Sequence, residues 1–293
     1  MEEKIGKYEE LLSGLSDEEK AYAEQFADTI DISDASCVLH YGGAAQKKVT
    51  QFSESTLFEI PSTDLNEIAK DIRKLKKKLT EFRNHFAKAE STGTNDMAAF
   101  RSMYDTFSSA MIEAGRRMEI HRSSLIRHIS KLDRYYEKCT RIIREFDMYV
   151  YAGKKHLDIC REEKLEELNA KAAKGVMEDV VLARDYAAAC LRFEKKLADL
   201  TVSRTLPFQI MTHIRLMQNT DTILAESLRR LCSDTFPLYR TRLIFSLGLQ
   251  EEKTISPDTF REAADDLDQA LDAILKLEKE STDKQKKGIR LFG

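Results

Sequence analysis

The densest run of side chains able to recognise a carboxylate or an oxyanion lies between residues 204 and 221. It holds Arg204, Gln209, His213, Arg215, Gln218, Asn219 and Asp221. Guanidinium forks and amide donors spaced along a helix suit the flat, two-oxygen face of such a group. Arg204 and Arg215 are about three helical turns apart and share one side, and Gln218 follows Arg215 by a further three residues. The same strip also reads as the polar flank of a helix–helix interface. Asp221 stands apart because it falls on an apolar ladder, where an unpaired carboxylate is costly. It either fixes register against a cationic partner or forms one wall of a polar pocket.

Other chemistry-bearing residues give weaker signals. His156 and Cys160 lie four apart on one helical face, but two ligands do not make a metal site. His121 and His128, seven apart, read as polar residues between helices. The five cysteines, at 37, 139, 160, 190 and 232, are odd in number and include no CxxC pair. Cys139, Cys160 and Cys190 fall on apolar stripes and read as small buried hydrophobes in a reducing compartment. The chain has no glycine-rich phosphate loop, GxSxG elbow or HExxH motif. The expectation is a non-enzyme with no catalytic residue, metal or cofactor.

The elements that carry these residues are legible from periodicity. Met118, Leu125, Leu132, Cys139, Phe146, Gly153 and Cys160 recur every seven residues, and Ile129, Tyr136, Ile143, Val150 and Leu157 fill the interleaved positions. This is the seam of a coiled coil, on a helix predicted from about Met97 to Ala173. Gly175 marks its stop. A return helix, about Met177 to Phe236, carries Ile210, Ile214, Met217, Leu224, Leu228 and Leu231. Two ladders joined by a short turn predict an antiparallel hairpin of long helices, a rod-like frame. Pro207 and Pro237 should kink the return path, which ends at Gly248.

The fold class expected is therefore all-α: an elongated antiparallel helical bundle with added N- and C-terminal helices. Four regions follow. Residues 1–33 form an acidic arm; residues 1–34 carry eleven acidic residues against three lysines. Ser16 and Glu19 have capping-box spacing for a short helix from about Asp17 to Asp28, and the arm reads as mobile. Residues 34–96 hold two helices, one over about 34–59 and a basic one over about 64–89. Residues 97–250 form the central hairpin. Residues 251–293 supply a last helix, with Ser256 and Pro257 as N-cap and first turn, and a basic tail.

Composition agrees. Of 293 residues, 33% are charged and 42% hydrophobic, with four prolines, eleven glycines and no tryptophan. That balance suits amphipathic helices and argues against a many-stranded sheet. A net charge of -3 gives no strong pull toward nucleic acid. The acidic N-terminus is unlike a signal peptide, and no stretch approaches a membrane span, so the expected location is cytoplasmic.

The segment SRTLPFQIMTHIRLMQNTDTILAESL, followed by FPLYRTRLIFSLGL, resembles the toxic anion resistance family, the TelA or KlaA proteins. VLHYGGAAQKKVTQFSEST at 38–56 and HISKLDRYYEKCTRIIREFDMYVYAGKKHLD at 128–158 fit it too. The resemblance runs from about Cys37 to Gln250. Arg204, Thr205, Gln209, Arg215, Gln218 and Asn219 map onto its polar motif, with Pro237 and Gly248 as punctuation. Three departures are evident. Pro207 interrupts a stretch usually helical, Tyr239 replaces a common tryptophan, and the C-terminal helix is shorter.

The resemblance implies a bacterial cytoplasmic protein associated with resistance to tellurite and, in some members, to envelope-acting antimicrobials. The family often accompanies tellurium-resistance and stress-response proteins, and it carries no catalytic role to transfer. The leading expectation is a helical scaffold that meets protein partners through helix faces, peripheral to the inner membrane surface, either alone or as a homo-oligomer. The alternatives are an oxyanion-binding or thiol-based detoxifying protein, and a module that touches anionic membrane through the basic helix and tail.

Overall fold

The computed structural model describes residues 11–59, 65–92, 97–247 and 256–290, and every element among them is helical. In chain order these are α1 (Asp17–Ala27), α2 (Ala35–His40), α3 (Gly43–Glu59), α4 (Leu65–Thr92) and α5 (Met97–Ile159). A π-helical turn, Cys160–Leu165, leads into α6 (Glu166–Ala172). Then come α7 (Met177–Ser203), α8 (Thr205–Arg230), a second π-helical turn (Leu231–Thr235), α9 (Phe236–Ser246) and α10 (Pro257–Arg290). The chain forms two compact units. One combines residues 1–59 with 134–213, the other residues 60–133 with 214–293.

In the first unit the seam of α5 is buried at Cys139, Phe146, Val150, Leu157 and Cys160. Its cover is α7, which runs antiparallel and presents Cys190, Phe193, Leu197 and Leu200. The chain reverses at Gly175, whose φ of 83° places it in the left-handed region that glycine tolerates. Tyr135 and Ile142, off the expected seam, are also buried, so the apolar stripe is wider than a two-position seam. The extra width is covered by α1–α3.

The expected mobile arm is corrected for its described part. Ser16 caps α1 as its spacing predicts: its Oγ accepts from the Glu19 N–H at 3.2 Å, and its own N–H donates to Glu19 at 2.7 Å. Yet Leu11, Leu15, Ala23, Ala27, Ile30 and Ile32 are all buried. Tyr151 donates to Glu24 at 3.1 Å, and Phe26 meets Tyr149 edge-on at 5.6 Å. Apolar residues between the acids, not the charge total, decide the outcome. Residues 1–10 lie outside the described residues.

The single helix expected over 34–59 is also corrected, because it breaks between α2 and α3. Gly42 has φ of 65°, and Tyr41 turns inward to donate its hydroxyl to the Tyr149 carbonyl at 2.7 Å. Tyr41 also packs edge-on against Phe193 at 5.0 Å.

In the second unit α4 lies antiparallel to both α5 and α10. Phe82 and Phe86 of α4 meet Phe107 and Phe100 of α5 in inverted order, at 5.3 and 5.6 Å. Phe260 of α10 stacks on Phe86 at 3.9 Å. Each such ring contributes about 1.5–3 kcal/mol by leaving water. Much of α4's positive charge faces the acids of α10: Lys76 pairs with Asp268 at 3.1 Å, and Arg83 with Asp265 at 2.5 Å. Ser256 and Pro257 begin α10 where expected. The expected stop at Gly248 lies outside the described residues. No helix among the described residues is long and apolar enough to cross a membrane.

Both prolines of the return path disturb it a turn upstream, as a missing N–H requires. Before Pro207 the helix is interrupted at Arg204 alone, which keeps helical backbone angles, and apolar periodicity resumes at Ile210 and Ile214. Before Pro237 the path widens into the π-helical turn at 231–235.

Candidate functional site

The polar strip at the start of α8 and along it turns Arg204, Gln218 and Asp221 inward, and each is met by α5. In the first unit Arg204 forms an ion pair with Asp147, which is 3% exposed, and its guanidinium lies 4.9 Å from the Phe208 ring. Gln209 is exposed and His213 half-buried.

In the second unit Arg215 donates to Gln218 at 3.0 Å, and Gln218 donates to Asp133 of α5 at 2.6 Å. Gln218 is buried, whereas Arg215 and Asn219 are exposed. One turn further along, Asp221 is fully buried and accepts from Nδ1 of His128 at 2.6 Å. Asp221 Oδ1 and His128 Nε2 are buried with no hydrogen-bond partner among the described residues. The histidine is the polar partner that Asp221's ladder position demands. Leu125 and Leu224, three residues from His128 and Asp221 on the same helices, are almost wholly buried.

A second histidine performs a parallel task. His121 meets Asp71 of α4 at 3.1 Å, and Arg117 reaches the other oxygen at 2.7 Å. Burial works against the Asp71 charge, but hydrogen bonds from His121 and Arg117 outweigh it and hold the carboxyl below its ordinary range. His121 and His128 thus each bond a carboxylate on another helix, as the sequence reading of interhelical polar residues expects.

Sequence reasoning missed the acceptors: Asp71, Asp133 and Asp147. Asp133 and Asp147 are fourteen residues apart, two heptads, and flank the apolar seam on one side. That periodic acid, beside a strip of arginine and amide, was the available signal.

Four thiols are pushed toward their protonated form. Burial pushes Cys139 up to about 12 and Cys232 up to about 11, and it raises Cys160 and Cys190 as well. His156 is drawn below its ordinary value, first by burial. Among the described residues no group of three or more His, Cys, Asp or Glu is arranged to hold a metal ion.

Two glycines explain why the flanking motifs have the form they do. A Cβ on Gly153 would collide with Leu197 and stand 3.1 Å from the Tyr41 hydroxyl. A Cβ on Gly42 would sit 2.6 Å from Leu200. The YGG and YAG segments are therefore two sides of one close contact, in which α7 leans on backbone. Tyr239 is partly buried against the core of the second unit, with Arg242 5.9 Å from its ring.

These features define a class: an all-helical protein in which Arg204 and Gln218 of a polar motif are bonded to carboxylates of the antiparallel α5. Residues 23–255 match the model for the toxic anion resistance protein (TelA) family, and the chain belongs to that family. Among curated relatives, the uncharacterized protein YaaN of Bacillus subtilis is 24% identical over 254 residues, covering 83% of this chain and 66% of the relative. A TelA-like protein of Staphylococcus saprophyticus is 23% identical, covering 82% and 67%. An uncharacterized protein of Listeria monocytogenes is 25% identical, covering 83% and 63%. The chain thus spans about two thirds of the length of the relatives it matches. No solved structure matches it.

Proposed function

We propose that the chain is a non-enzymatic helical scaffold in cellular resistance to tellurite and related toxic anions, acting in the cytoplasm by presenting helix faces to protein partners. One observation carries this reading. Arg204 and Gln218 of the polar motif are bonded to α5, while large apolar side chains remain exposed on outer faces. Met177 is 77% exposed beside the hairpin turn, with Val176, Val180, Val181 and Leu182 around it. In the second unit Ile120 is 66% exposed. Such residues in a cluster mark contact surfaces. The protonated thiols weigh against the thiol-based alternative, because the thiolate is the reactive form.

The test has two arms. In a strain lacking its own copy, expression of the chain should restore growth in tellurite, and cross-linking in stressed cells should recover one reproducible set of partners. Purified protein that reduces tellurite unaided would overturn the reading. Recovery of no specific partner in cells that are nonetheless protected would do the same.

A further inference from the structure

The second π-helical turn opens a groove in the second unit that the polar motif does not use. It has a volume of about 500 Å³ and lies between α5 and the π-helical turn with the first residues of α9. Its floor is apolar. Met111 and Phe236 are buried there, and Cys232 bonds through sulfur to the Gly115 carbonyl at 3.6 Å. Gly115 presents no side chain, and this leaves the Phe236 ring as the wall opposite. Along the rim Ile112 and Ile120 are 41% and 66% exposed, about two helical turns apart on the same face of α5.

The charge around this floor is unbalanced. Among the described residues Arg116 reaches only Glu113, at 4.0 Å, and Arg117 holds that carboxylate more closely, at 3.2 Å. The one acid that lines it among the described residues, Glu119, is bonded to Arg122 at 3.0 Å. Arg240 lines the opposite side, and its Nε is buried with no hydrogen-bond partner among the described residues. With Arg116 on one flank and the half-buried Arg240 on the other, the groove offers two cations to an arriving carboxylate. An apolar floor between two cations complements a segment that pairs a large apolar side chain with an acid.

We propose that this groove docks an acidic, apolar peptide segment of another protein, with the apolar side chain seated over Met111 and Phe236 and the carboxylate met by Arg240 and Arg116. The proposal rests on the scaffold reading and gives that reading a surface. The apolar anchor supplies most of the affinity, as buried anchors at interfaces do, and the arginines select the acid.

A random-peptide display library selected against the full chain tests it. The enriched peptides should share an Asp or Glu near a large apolar residue. Measured by fluorescence anisotropy, their affinity should fall about tenfold or more for Ile120→Asp and for Arg116→Glu, both exposed sites, and for Arg240→Glu. Leu191→Asp, exposed in the other unit, should leave it unchanged. Helical circular dichroism and the urea midpoint establish that each variant folds.

Enriched peptides without the acidic and apolar pair, or affinities that the groove variants leave unmoved, would overturn the proposal. A concentration-dependent dimer dissolved by Ile120→Asp would overturn it too, by giving the groove to a second copy of the chain. If Ile120→Asp still recovers the full partner set from stressed cells, the groove is wrong and the scaffold reading stands. If the parent chain recovers none, the scaffold reading itself falls.

Discussion

A buried pair such as Asp221 and His128 is costly to break and cheap to replace. Removing one partner strands the other without water, typically at about 3–5 kcal/mol, whereas two apolar residues of similar volume are often neutral. Asp221→Ala should therefore lower urea stability by about that amount. The double variant Asp221→Leu with His128→Leu should recover most of the loss. A double variant no more stable than the single one would mean that packing around the pair, not its polarity, sets the cost. The same logic gives Asp71 a pH signature. Its folded carboxyl lies below the ordinary value of 3.8, so its contribution is present above that value and disappears as pH falls through the folded one. Urea midpoints followed from about pH 5 to pH 2 should fall more steeply for the parent than for Asp71→Asn. Parallel slopes would remove Asp71 from the acid response.

At the scale of elements, the glycine contacts predict sharp, local costs. Gly153→Ala places a methyl group against Leu197, and overpacking of this kind costs about 1–3 kcal/mol. Adding Leu197→Ala should return part of that loss, a coupling readable by a double-mutant cycle in urea. Additive effects would show that the two residues do not press on each other. Much of this architecture was legible beforehand. The seam of α5, the stop at Gly175, the box at Ser16 and the start at Ser256 all follow from periodicity and capping chemistry, which are local. The break at Gly42 was not legible, because it depends on where Tyr41 finds a partner 108 residues away. Burial of residues 11–33 was hidden by their acidity. For the candidate site the donors were visible in one short stretch. Their acceptors were not, since Asp133 and Asp147 sit among the ordinary charged flanks of a heptad pattern.

At the scale of the molecule, resistance should not depend on sulfur chemistry. A variant with Cys37, Cys139, Cys160, Cys190 and Cys232 replaced by alanine, matched for protein level, should retain the tellurite tolerance of the parent. Loss of tolerance at equal abundance would return the thiol mechanism to first place. Three of these cysteines are buried, so the matching matters: small losses of core packing lower abundance without touching mechanism.

Each of the two compact units is assembled from separated stretches, because α5 and α8 both pass from one to the other. During synthesis the first unit stays incomplete until residue 213 has left the ribosome, and the second waits for α10, at the far end of the chain. Long apolar stripes stand uncovered in the interval, which is the condition under which nascent helices recruit holding chaperones. No single cut in the gene would release either half intact.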